Sequence, residues 1–188
     1  ALTLVIGVVL TVIGLVFNDP ILKAIGVPND VFSEASTYLS IYFWSLIFVM
    51  IYNMGSGILR SVGDSKRPLY FLIFSSIINI VLDFLFVKNF GFGVAGAGYA
   101  TLIAQAISAI MVMYVLMKTE DSYKVVLKDI KFDKEILLKI IKIGLPTGFQ
   151  QSIVSLSNVI VQSYINVYGA SVIAGYSVTI KIDGFVNL

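Results

Sequence analysis

The chain has 188 residues, 58% of them hydrophobic, and its charged fraction of 13% is about half the usual quarter of soluble proteins. The formal net charge is +2, and the chain has no Cys and no His. This is the composition of an integral membrane protein. It excludes thiolate or imidazole metal sites, Cys or His nucleophile pairs and histidine proton relays, so any ion or proton chemistry falls to carboxylates.

Residues 1 to 17 form a nearly pure apolar run, slightly short for the roughly 20 residues a spanning helix needs. Asn18-Asp19-Pro20 is expected to end it, and Ile21 to Pro28 is too short to cross and is expected to lie at the interface, before a helix capped near Ser33. A second span runs from about Ala35 to Arg60, with Gly55-Ser56-Gly57 as a small-residue surface for another helix. The stretch from Arg60 to Pro68 is a tight polar turn, with Gly63-Asp64 at the bend and Pro68 opening a third span over about 68 to 88. Gly91-Phe-Gly93-Val-Ala-Gly96 formally matches a dinucleotide fingerprint but lacks the preceding strand and following acid that reading requires. It is read instead as an external turn into a fourth span, about Val94 to Met117. Residues 118 to 142 are the one long polar segment, with seven lysines. Within it, Lys131 to Lys142 is either an amphipathic surface helix or the start of the next helix; periodicity leaves both open. A fifth span over about Lys139 to Tyr168 contains Pro146, and a sixth begins near Ser171. Both termini fall inside apolar runs and no signal peptide is evident, so the chain reads as a fragment.

Alternate connections are basic: Arg60, Lys66 and Arg67 in one turn and the lysines of the linker in another. The positive-inside rule therefore places 60 to 68 and 118 to 138 in the cytoplasm, in a multi-pass protein of the cell membrane. Asp83 then lies in the outer half of the third span. An Asp at the centre of a spanning helix costs roughly 2.5 to 3.5 kcal/mol, and intramembrane acids mark ion pathways more often than structure. Asn79, four residues earlier, shares its helix face, so two oxygen-bearing side chains converge. Hard oxygen ligands suit Na⁺, and a carboxylate can instead carry a proton. Gln150, Gln151, Asn158 and Gln162 make the fifth span polar, either as the lining of a substrate cavity or as interhelical bonds. Lys181 and Asp183, two apart in the truncated last span, do not face each other. No nucleophile–base pair supports an enzyme.

Four patterns in order, Arg60-x-x-Gly63-Asp64-x-x-x-Pro68, Asn79-Ile-Val-Leu-Asp83, Gly93-x-x-Gly96-x-x-x-Ala100-Thr101 and Gly144-Leu-Pro146, resemble motifs of the multidrug and toxic compound extrusion (MATE) transporters over essentially the whole chain. The resemblance implies an all-α polytopic fold, part of a twelve-helix, two-lobe transporter, with this chain covering about the third to eighth spans. The implied domains are N-lobe helices at 1–117, a cytoplasmic inter-lobe linker at 118–138 and the start of the C-lobe at 139–188. It implies a monomeric antiporter that exports amphiphilic, often cationic organic compounds in exchange for Na⁺ or H⁺, without a further cofactor and without nucleic acid as partner. It also implies a coupling-cation site on Asp83, Asn79 and Thr101, completed by a first-span Asp that is not in this chain. Where some members carry a Glu eight residues after the G-x-P proline, this chain has Val154, which directs the expectation toward the N-lobe site. A lipid-linked oligosaccharide flippase of the same superfamily and a non-transporting membrane scaffold are the alternatives.

Overall fold

The computed structural model describes residues 1–24, 27–126, 128, 133–166 and 176, without the side chains of 159, 162, 163 and 166. Among the described residues the elements are all helical: α1 (Leu2–Ala24), α2 (Asn29–Ser61), α3 (Lys66–Asp83), which continues as a π-helical turn (Phe84–Asn89), α4 (Gly93–Lys118) and α5 (Lys134–Asn166). The chain divides into two compact units, Ala1–Phe132 and Asp133–Leu188.

Four helices of the first unit are long and apolar enough to cross a membrane: Leu2–Ala24, Asn29–Ser61, Lys66–Asn89 and Gly93–Lys118. Their apolar residues are largely exposed, as a bilayer allows, and they hold together through small residues rather than a wide apolar core. A Cβ on Gly14 would overlap the Phe43 ring, one on Gly98 would lie 3.2 Å from Ile41, and one on Gly55 would lie 2.7 Å from Val112. Those close approaches pack α2 against α1 on one side and against α4 on the other, while α3 packs on α4. Gly57 has open space around its Cα, so only the first glycine of Gly55-Ser56-Gly57 serves the expected packing surface.

The helix boundaries differ from the sequence reading at several places. α1 does not stop at Asn18-Asp19-Pro20 but runs through Pro20 to Ala24. The reason is tertiary: the Asn18 amide, 4% exposed, donates to the Ser36 carbonyl (2.9 Å) and to Oγ of Ser36 (3.1 Å) and Ser40 (2.7 Å). Ser36 Oγ in turn donates to Asp19 Oδ1 at 2.9 Å. A bond network from the Asn18 Nδ2 group and Asp19 to α2 thus holds residues that in isolation favour a break, while Asn18 Oδ1 stays without a partner. α2 starts at Asn29 behind Pro28, which places Ser33 inside the helix. α3 starts at Lys66, so Pro68 is its third residue, still within the turn where a missing N–H costs nothing. There Asp64 accepts from the Arg67 amide at 3.1 Å and pairs with its guanidinium at 3.2 Å.

A small core closes the end of the first unit near that turn. Tyr52, Leu59, Val112 and Leu116 are buried together, and Tyr123 and Val125 pack on them. The Tyr52 hydroxyl donates to the Pro68 carbonyl at 2.9 Å. After α4 the chain folds back, so that the Val125 amide donates to the Leu116 carbonyl at 2.9 Å.

The second unit contains α5, a single helix from Lys134 through Pro146 to Asn166. Lys134 to Lys142 is therefore the start of that helix. α5 is not among the four helices apolar enough to cross, since Gln150, Gln151 and Asn158 interrupt its apolar residues.

Candidate cation site

α3 is apolar for most of its length and carries its polar groups on one side. Asn79 and Asp83 are one turn apart and both half-buried. Their buried polar atoms have no partner: neither Asn79 Nδ2 nor Asp83 Oδ1 makes a hydrogen bond. An orphaned buried donor or acceptor costs roughly 1 to 3 kcal/mol. Asn79 Nδ2 is a donor and Asp83 Oδ1 an acceptor, so of the two only Asp83 Oδ1 is suited to face a cation.

Directly after Asp83 the helix widens into the π turn Phe84–Asn89. The Phe90 amide reaches back five residues to the Leu85 carbonyl (3.0 Å), and the Phe92 amide donates to the Phe86 carbonyl (3.0 Å). Phe86, Phe90 and Phe92 gather at this end, with ring centroids 5.8 to 6.1 Å apart. Gly91 and Gly93 have positive φ, 68° and 54°, which reverses the chain into α4. That confirms a turn, not a nucleotide loop. Gly96 then meets the π turn backbone to backbone, because a Cβ there would lie 3.1 Å from the Phe86 carbonyl carbon.

That contact sets the depth of Thr101. α3 and α4 are antiparallel across the short turn, so both run away from the Phe86–Gly96 contact in the same direction. At about 1.5 Å per residue, Asp83 lies about 4.5 Å, Thr101 about 7.5 Å and Asn79 about 10.5 Å below it. Thr101, half-buried on α4, is thus level with the gap between the other two. Among the described residues no group of three or more His, Cys, Asp or Glu converges. One carboxylate with neutral oxygens suits a monovalent hard cation or a proton rather than a thiophilic metal.

Gln150, Gln151 and Asn158 are exposed on α5, as is Val154. The Gln162 side chain, Lys181 and Asp183 lie outside the described residues. Sequence reasoning missed the polar cluster of Asn18, Asp19, Ser36 and Ser40. Its available signal was the i,i+4 spacing of the two serines on α2. Ser36 and Ser40 also line a groove of about 570 Å³ with Trp44, Tyr99 and Leu102.

Four helices of membrane-crossing length among the described residues define a polytopic α-helical membrane protein. The MatE family model matches residues 1–85. Over 99% of its length the chain is 36% identical to the "Probable multidrug resistance protein YoeA" of Bacillus subtilis, covering 42% of that protein. Over 97% of its length it is 26% identical to the "Multidrug export protein MepA" of Staphylococcus aureus, covering 41%. Its fold superposes with a TM-score of 0.83 and 29% identity on an outward-facing multidrug resistance MATE family transporter, over 98% of this chain and 41% of that one. Over nearly its whole length the chain is thus similar to part of MATE-type multidrug transporters. It spans about two fifths of the length of the curated relatives it matches.

Proposed function

We propose that the protein is a cation-coupled antiporter that exports amphiphilic, often cationic organic compounds against an inward flow of Na⁺ or H⁺. The observation that supports this reading is the orphaned Oδ1 of Asp83, one turn from Asn79 and near the depth of Thr101, in a chain similar to multidrug resistance proteins. Asp83 supplies the negative charge, Asn79 and Thr101 the neutral oxygens, and a proton taken up by Asp83 would neutralise the same carboxylate. Coupling requires that the site hold the cation more tightly in one state of the transporter than in the other, since equal affinity shifts nothing.

In this reading residues 1–117 belong to the N-lobe, 118–138 to the linker and 139–188 to the start of the C-lobe. The turn at 60–68 and the linker face the cytoplasm, following the basic residues, so the cation site lies in the outer half of the membrane. Gln150, Gln151, Asn158 and Gln162 are assigned to the substrate cavity. The monomer is the transporting unit.

The test is dye efflux from proteoliposomes carrying the intact protein, with Na⁺ and proton gradients imposed separately, for wild type and Asp83→Asn. Gradient-driven efflux is expected in wild type and lost in the folded variant, and the effective gradient names the ion. Normal coupling in Asp83→Asn would move the site elsewhere.

A further inference from the structure

The mechanism above gives no role to the π turn at Phe84–Asn89, although it begins at the residue after Asp83. π-helical turns are rare, their hydrogen bonds close wider rings, and they recur at functional positions because they re-aim the residues beside them. Nothing in the local composition forces one here: Phe84-Leu-Phe-Val-Lys-Asn contains neither Gly nor Pro. Something outside the segment holds it. Gly96 of α4 sits against the Phe86 backbone, with only 3.1 Å available for a Cβ. The Phe86 carbonyl is further engaged by the Phe92 amide at 3.0 Å, and Phe86 closes the aromatic trio with Phe90 and Phe92.

We propose that the π turn Phe84–Asn89, pinned by Gly96 against Phe86, is the positioning element of the cation site, setting the rotation and depth of Asp83 relative to Thr101. The inference rests on the cation-site reading above. The extra residue of the π turn offsets the chain beyond it by about 100° from an α continuation. Asn79, Asp83 and Phe86 share one helix face at i, i+4 and i+7; without the extra residue the chain leaving Phe86 would turn away by that angle, and Gly96 would no longer return onto the face that carries Asp83. The fixed point also explains two spacings together. Three residues from Phe86 back to Asp83 and five from Gly96 on to Thr101 bring the two ligands to within about 3 Å in depth. Gly96 and Phe86 touch no cation in this account; they act through Asp83.

The test is cation binding to the intact purified protein, read as the shift of its unfolding midpoint in Na⁺ titrations at fixed pH and in pH titrations without Na⁺. Deletion of Val87 removes the extra residue and should weaken the cation response at least tenfold. Gly96→Ala intrudes on the same contact without changing the chain length and should weaken it several-fold. Gly98→Ala is the control: its Cβ would crowd Ile41 at 3.2 Å, a similar overlap on the α2 side, and it should leave the cation response within twofold of wild type. A Gly96→Ala protein that titrates like wild type, or a Gly98→Ala protein weakened as much as Gly96→Ala, would overturn the inference, whether or not the Val87 deletion folds. Asp83→Asn separates the two readings. If it keeps the full cation response, the cation site itself is misplaced; if it loses the response while Gly96→Ala does not, the positioning role alone fails.

Discussion

Replacing Asp83 by Leu should make the cation-free protein more stable, the opposite of what removing a structural carboxylate would do. On insertion scales Asp at the centre of a spanning helix costs about 2.5 to 3.5 kcal/mol, whereas Leu contributes about −0.3 to −0.6 kcal/mol. Asp83 is half-buried in the protein and lies toward one end of its span, so much of that difference is attenuated. Its buried Oδ1 has no partner to lose, and relieving such an atom returns roughly 1 to 3 kcal/mol. A gain of about 1 to 2 kcal/mol follows, near the lower half of that range, read as a rise in the unfolding midpoint of the intact protein in cation-free detergent buffer. Adding the coupling cation at about 100 times its Kd should then stabilise wild type by about 2.7 kcal/mol and leave Asp83→Leu unmoved. A folded Asp83→Leu protein that melts below wild type without cation would show that the carboxylate bonds a neighbouring helix, and the site would lose its main support.

Other perturbations test the packing. Gly55→Ala should destabilise the protein by about 1 to 3 kcal/mol, since its Cβ would overlap both Val112 methyls. Gly57→Ala, with nothing near its Cα, should be neutral or stabilising by up to about 1 kcal/mol; equal thermal shifts in the two would contradict the packing described. Asn18→Ala removes three hydrogen bonds to Ser36 and Ser40 and should cost about 1 to 3 kcal/mol, with faster amide exchange from Asn18 to Ala24 as α1 loses the tie that carries it past Pro20. At the other end, Asp121 is held below its ordinary value of 3.8 by the Thr119 hydroxyl first, then by Tyr123 and the charge of Arg67. A depressed folded value stabilises the fold-back of residues 119–126 above the ordinary carboxylate range. That contribution is lost as pH falls through the range and below it. Protection of the Val125 amide, bonded to Leu116, measured against its intrinsic exchange rate at each pH, should therefore fall below about pH 4 in wild type and be less pH-dependent in Asp121→Asn.

The four spans of the first unit were legible because each is an apolar run bounded by polar or glycine-rich breaks, and their order required no tertiary information. Asn79 and Asp83 could be paired from i,i+4 spacing alone, and the turn character of Gly91 and Gly93 from the apolar runs that flank them. What escaped the sequence depends on contacts between helices. α1 continues through Pro20 because serines on α2 hold Asn18, a partnership some 18 to 22 residues away. Residues 84–89 look like any apolar helix end, and nothing in their composition distinguishes a five-residue from a four-residue hydrogen bond. Thr101 stood out only through family resemblance, and its depth became meaningful once Gly96 was found against Phe86.

The length of α2 sets a constraint on the surrounding lipid. Its 33 residues span about 50 Å, against a hydrocarbon thickness of about 30 Å. Upright, it would carry some four turns beyond the apolar slab; inclined, it would take the neighbours packed on it along. Bilayer thickness therefore acts as a load on this rod, and thinner or thicker membranes should bias its inclination, and with it the splay of α1 and α4 that grip its two sides.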